Sequence, residues 1–173
     1  GVTLIFRVTP ATASDIEPVP TDIPSTCWWA DAFPPVNCNH FPNGDRMINM
    51  LPTMSGEEYL ELGAEAAYAE CARRVRAQWH FPQTHFCEFR NDRLHSLASA
   101  LGVRESRRIV CDYMLTEHDL RTGLDEQTHK DIVAIADHAL DRHAPGGGAS
   151  ELNAPYGIPY RCLLPKGADN LLV

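Results

Sequence analysis

"SGEEYLELGAEAAYAECARRVRAQWHFP" (Ser55–Pro82) decides the fold class. Ser55 followed three residues later by Glu58 is a capping box, in which the serine hydroxyl takes the Glu58 N–H and the glutamate can reach back. Behind it Leu60, Ala64, Ala67, Tyr68, Cys71, Val75 and Trp79 recur at helical spacing and form one apolar stripe. Glu70 and Arg74 stand four apart with the acid first, a favourable pair on the flank. Pro82 removes a backbone donor and should stop the helix. The pattern predicts one long helix over about residues 55–80.

The sequence on either side reads as strand and loop. Residues 2–8 alternate and are β-rich, which predicts a strand. Residues 9–26 are rich in Pro, Thr and Ser without a period, as in an extended loop. Trp28 and Trp29 follow, too bulky to leave in water without reason. Pro42-Asn43-Gly44-Asp45 between two β-capable runs predicts a hairpin. Residues 84–100 fit a helix end followed by a strand, and 107–116 are β-rich. Thr116 can cap a short acidic helix ending at Gly123. Strands are predicted over 131–141, over 156–165 and at 170–173, with a glycine-rich loop before the second and a Lys166–Asp169 turn before the third. The whole is an α+β domain over residues 1–173, mostly antiparallel strands with one long helix.

Composition narrows the function. A formal charge of −8 argues against a nucleic-acid partner, since neutralising phosphates needs clustered Lys and Arg. No apolar run approaches the ~20 residues of a membrane span, and no leader is visible. Six scattered cysteines are not a disulfide framework; reduced thiols and a cytoplasmic setting are the expectation. Cys71, Cys111 and Cys162 read as small buried hydrophobes. There is no G-x-G-x-x-G, no P-loop and no G-x-S-x-G. The triple glycine at 146–148 lacks a following helix pattern.

Three groups of residues remain as candidate chemistry. Cys38-x-His40 and His85-x-Cys87 could together supply four zinc ligands, although the single-residue spacing is tighter than usual. Buried thiols with surface imidazoles are the alternative. His138 and His143 flank a strand end and are either ordinary loop residues or ligand-facing ones. In Gly102–Val110, strand geometry puts Arg104, Ser106 and Arg108 on one face and Glu105 and Arg107 on the other. Arginine forks suit carboxylate or phosphate. The same charges could instead brace a sheet edge.

Three blocks carry a resemblance. "LGVRESRRIVCDYMLTEHDL" (Leu101–Leu120), "VAIADHALDRH" (Val133–His143) and "PYGIPYRCLLPKGADNLLV" (Pro155–Val173), in this order, resemble a large family of FAD-dependent oxidoreductases. Some members carry a xanthan lyase label, which is not transferred here. The resemblance implies a two-part flavoprotein: a Rossmann-like FAD domain and an inserted domain of antiparallel sheet and helices that covers the flavin and shapes the substrate site. This chain is similar to the inserted part. "NLLV" is then expected to be a strand leading back into the FAD domain, and the chain a piece of something larger.

By matching position the resemblance assigns Arg104, Glu105 and Arg108 to substrate binding, and His143, Tyr160 and Arg161 to catalysis. Arg161 would hold an anionic substrate group or the charge of reduced flavin; His143 or Tyr160 would move a proton. The family's dinucleotide motif is absent from these residues, so this polypeptide is expected to bind FAD weakly or not at all. The implied partners are a small-molecule substrate, the FAD domain and, through exposed apolar surface, a second copy. An independent binding module and a zinc-stabilised domain are the competing readings.

Overall fold

The computed structural model describes residues 1–12, 15–23, 38–49, 53–104, 107–141 and 149–173. The expectations for Trp28, Trp29, Glu105, His143 and the triple glycine lie outside them. The chain divides into two compact units, 1–106 and 107–173.

The first unit packs one long helix against antiparallel sheet. Strands β1 (Val2–Thr3), β2 (Phe6–Pro10), β3 (Cys38–His40), β4 (Arg46–Ile48), β5 (Asp92–Leu97) and β6 (Gly102–Val103) form two sheets. One pairs β1 with β6; the other has the order β3-β4-β2-β5. The hairpin forms where the sequence placed it: Cys38 faces Ile48, Phe41 N–H and Asp45 C=O close the turn at 2.8 Å, and Gly44 supplies φ +89°. Val2, Leu4, Phe6 and Val8, alternating along the first strands, are all buried. Against them lie Ala67, Cys71, Val75 and Trp79 of helix α1 (Gly56–His85). Trp79 sits edge-to-face with both Phe6 (6.0 Å) and Phe89 (5.9 Å), where its large area and ring geometry stabilise the core.

Helix α1 departs from its pattern in three places. Gly63 has φ +76° and ψ 165°, so the helix is kinked there. Leu60 and Leu62, each 42% exposed, are thereby turned off the stripe that periodicity predicts for Leu60. The Ser55 hydroxyl takes the Glu58 N–H at 3.0 Å as expected, but the Glu58 carboxylate turns to Arg74, which also binds Glu70. Pro82 does not stop the helix, which runs on to His85. Pro82 is fully buried, and the next residue, Gln83, bonds Glu17 N–H (3.0 Å) and Asp92 C=O (2.8 Å). Tertiary contacts hold one more turn than local propensity would.

The second unit contains helix α2 (Glu117–Thr122), strands β7 (Ile132–Ala136), β8 (Leu140–Asp141), β9 (Ala149–Ser150) and β10 (Tyr156–Pro159), and a 3-10 turn over Tyr160–Leu163. β7 pairs with β10 and β8 with β9, both antiparallel. A Cβ on Gly157 would lie 2.6 Å from the Ile132 side chain, so β10 approaches β7 in a way only glycine allows.

Four sequence expectations fail here. The predicted strand 156–165 is strand only over Tyr156–Pro159, because the chain then coils into the 3-10 turn at Tyr160–Leu163. The stretch 107–116 is no strand beyond one bridge, Cys111 to Pro165, because the chain opposite curls into the 3-10 turn and offers no longer ladder. The predicted strand 131–141 is split into β7 and β8. Residues 170–173 are not a strand. Asn170 at φ 58° turns the chain, Val173 N–H reaches Leu163 C=O, and Leu171, Leu172 and Val173 are exposed. The α+β class, with antiparallel sheets and one long helix, stands. Among the described residues no helix is long and apolar enough to cross a membrane.

Candidate functional site

Among the described residues of the second unit, the densest set of interacting ionisable side chains begins with the cap of α2. Thr116 Oγ1 accepts the Asp119 N–H (3.3 Å), and Asp119 Oδ2 accepts both the Thr116 N–H (2.8 Å) and the Thr116 hydroxyl (2.7 Å). The threonine cap was legible in the sequence; Asp119 at the third position completes it as a capping box. The second carboxylate oxygen was not. Asp119 Oδ1 accepts the Tyr113 hydroxyl at 2.8 Å and lies 3.3 Å from His129 Nε2. Burial by itself would raise the Asp119 carboxyl, but the donors from Thr116, Tyr113 and His129 outweigh it and hold it at about 2. The same carboxylate raises the Tyr113 phenol.

The other half of the cluster hangs on the junction of β10 with the 3-10 turn. Tyr160 N–H donates to Asp131 C=O (2.7 Å), which brings Arg161 alongside Asp131. Arg161 Nε donates to Asp131 Oδ2 (3.0 Å) and Nη2 to Oδ1 (3.2 Å), a two-point fork. The fork holds the Asp131 carboxyl below its usual range and raises the guanidinium. Arg161 also lies over the Tyr113 ring, 5.1 Å from its centre, and Nη2 lies 3.4 Å from His129 Nδ1.

That last contact assigns the imidazole. Guanidinium nitrogens only donate, so His129 Nδ1 is the acceptor. Nε2 then carries the proton and donates to Asp119 Oδ1. Tyr113, Thr116 and His129 donate to Asp119, and Arg161 donates to both His129 and Asp131. Two carboxylates against one guanidinium and a neutral imidazole leave one net negative charge. Gln127 ties the frame together, donating to Asp119 C=O (3.2 Å) and accepting the Gly157 N–H (2.6 Å).

The residues expected from sequence distribute unevenly. Arg161 is at the centre, its side chain 46% exposed, and Tyr160 is adjacent and exposed. Arg108 is exposed in the second unit; Arg104 belongs to the first. Glu105 and His143 lie outside the described residues. His138 is exposed and uses Nδ1 on the neighbouring Ala139 C=O. Asp119, His129, Asp131 and Tyr113 were missed as site residues. The available signal was His129-Lys130-Asp131, an imidazole and a carboxylate two residues apart just before β7.

Other candidates lose ground. Among the described residues no three His, Cys, Asp or Glu side chains gather as a metal site, so the Cys38, His40, His85 and Cys87 pairs do not form a four-ligand set. A cavity of about 190 Å³ in the first unit, lined by Glu17, Pro18, Arg76, Trp79 and Leu94, is below the ~300 Å³ at which ligand pockets usually begin.

A dinucleotide pyrophosphate needs a helix start with free N–H groups and no competing anions. Helix α1 opens on a serine cap followed by Glu57 and Glu58; α2 opens on Thr116, Glu117 and Asp119. Among the described residues neither helix start fits the pyrophosphate of FAD.

No curated protein and no solved structure matches the chain. A family model does, that of the FAD dependent oxidoreductases, across residues 8–173, which takes in all of the second unit and nearly all of the first. This match agrees with the resemblance carried by the three blocks above. The chain belongs to the FAD-dependent oxidoreductase family.

Proposed function

We propose that this chain supplies the substrate-facing part of an FAD-dependent oxidoreductase, and that the dinucleotide is gripped by residues other than these. The observation that carries the proposal is the Arg161 fork. It is an arginine held rigid on Asp131 and His129 yet half-open to solvent, in a chain of this family whose described helix starts are closed to phosphate. With Nε and Nη2 occupied, Nη1 is the edge that can meet an incoming group. A planar donor held in place can bind a carboxylate, or an oxygen on which negative charge develops, without giving up its own proton. Tyr160, next to it in the chain, is exposed. A small polar molecule bearing a carboxylate, or a hydroxyl on which negative charge develops, is the substrate class this arrangement suits.

Two measurements test the proposal. The purified chain should show no stoichiometric flavin absorbance near ~450 nm and no saturable binding of added FAD. Tight one-to-one binding would place the dinucleotide grip in this chain and overturn that half. In an intact flavoenzyme containing these residues, Arg161→Lys keeps the charge but loses the fork. Turnover should fall about tenfold or more. Unchanged turnover removes Arg161 from the substrate site.

A further inference from the structure

We infer that His129 is the proton acceptor of this site, with Asp119 as the residue that positions it. The inference rests on the substrate-facing reading of the cluster and deepens it.

The geometry is that of an oriented base. Asp119 occupies Nε2 from behind and is itself held by Thr116 and Tyr113, so the ring cannot turn without breaking those bonds. The Tyr113 ring packs edge-on against the imidazole at 4.8 Å, fixing its plane. The side chains of His129 and Asp119 are only 12% and 11% exposed. The Nδ1 lone pair therefore points one way, toward the half-open Arg161. Its contact with Arg161 Nη2, 3.4 Å, is long for a hydrogen bond and can yield to a shorter one from a substrate.

Charge supports the same direction. The groups around the imidazole are Asp119 and Tyr113 on one side and Arg161, backed by Asp131, on the other. They sum to one negative charge, so a proton arriving on His129 brings the cluster to neutrality. The step is a simple proton transfer. A substrate O–H bond breaks, an N–H bond forms at Nδ1, and the electron pair stays on oxygen as an alkoxide. Arg161 then faces that oxygen with its donors, and the imidazolium keeps its second proton on Asp119.

Two readouts on the purified chain test this. Nitrogen-15 spectra of the histidine side chains should show His129 as the Nε2–H tautomer. In Asp119→Asn, where Nε2 no longer faces a carboxylate, that tautomer should lose its dominance. The Nδ1–H tautomer in the wild-type chain, or a tautomer unmoved by Asp119→Asn, overturns the inference. The second readout separates a working base from a structural histidine. Diethyl pyrocarbonate acylates an imidazole through a lone pair it can reach. His129 should be acylated in the folded chain, and faster in Arg161→Met, where the lone pair is uncovered. A His129 inert in both ends the inference. The proposed function stands or falls separately: an inert His129 with turnover that still depends on Arg161 retains it, whereas turnover indifferent to Arg161 removes it.

Discussion

Replacing Asp119 by Asn should destabilise residues 107–173 by about 2–3 kcal/mol, and the figure follows from the donors the carboxylate accepts. Four groups converge on it: the Thr116 N–H and hydroxyl, the Tyr113 hydroxyl and His129 Nε2–H. Asparagine offers one acceptor oxygen and turns two N–H groups toward the remaining donors. The hydroxyls of Thr116 and Tyr113 can rotate and become acceptors. The Thr116 N–H and the His129 N–H cannot both be kept on one oxygen, because they approach opposite sides of the carboxylate. One charge-assisted bond is lost and a second is weakened, each worth about 1.5–3 kcal/mol before relaxation.

Acid gives an independent measure of the same energy. The Asp119 carboxyl is lowered from 3.8 to about 2 in the folded chain. Its stabilisation is therefore full above the unfolded value and is lost as pH falls through the folded one. The difference corresponds to about 2 kcal/mol. Asp119→Asn should lack this component, so wild type and variant should converge in stability as pH drops from about 4 toward about 2.

The assay has to report on the right residues. All three tryptophans precede residue 80, so their fluorescence follows the first unit. Hydrogen exchange of peptides from 107–173 across a urea series reads the second. A variant within about 0.5 kcal/mol of wild type at neutral pH, with the same acid profile, would refute the reasoning.

Two further predictions concern the first unit. Gln78 is fully buried on α1 and neither its Nε2 nor its Oε1 has a hydrogen-bond partner among the described residues, so Gln78→Met, similar in volume, should raise stability by about 1–3 kcal/mol in urea denaturation; a loss of stability would mean that the carboxamide is satisfied. Burial pushes the Cys71 thiol up to about 11, and the residue is inaccessible, so iodoacetamide should label exposed Cys87 in the native chain and reach Cys71 only on unfolding; equal native rates, read by mass spectrometry, would contradict the packing of α1.

Local signals in the sequence were enough for the secondary-structure class. Ser55, the stripe from Ala67 to Trp79, Pro42–Asp45 and Thr116 each act over a few residues, and each produced the cap, core face, turn or helix start it predicted. The family also was legible, because three blocks in fixed order need no geometry to be matched. One failure was local: Gly63, three residues on, turns Leu60 outward. The others depended on neighbours distant in sequence. The burial of Pro82 and the bonds of Gln83 extend a helix that a proline should end, and the curl at Tyr160–Leu163 denies 107–116 a partner.

The site divides in the same way. Arg161 could be picked out by its type and its block, but not the groups that give it a role. Asp119, His129 and Asp131 look like a cap residue and two polar residues before a strand until Tyr160 N–H meets Asp131 C=O and folds the turn back over them. Sequence by itself determined the α+β class, the long helix, the hairpin turn and the helix caps, and which family the chain resembles, because hydrogen-bonded turns and apolar periods are short-range. Only the tertiary structure decided which charges face one another, because Coulombic and hydrogen-bond energies depend on distances of 3 Å between residues that can lie 30 or more positions apart.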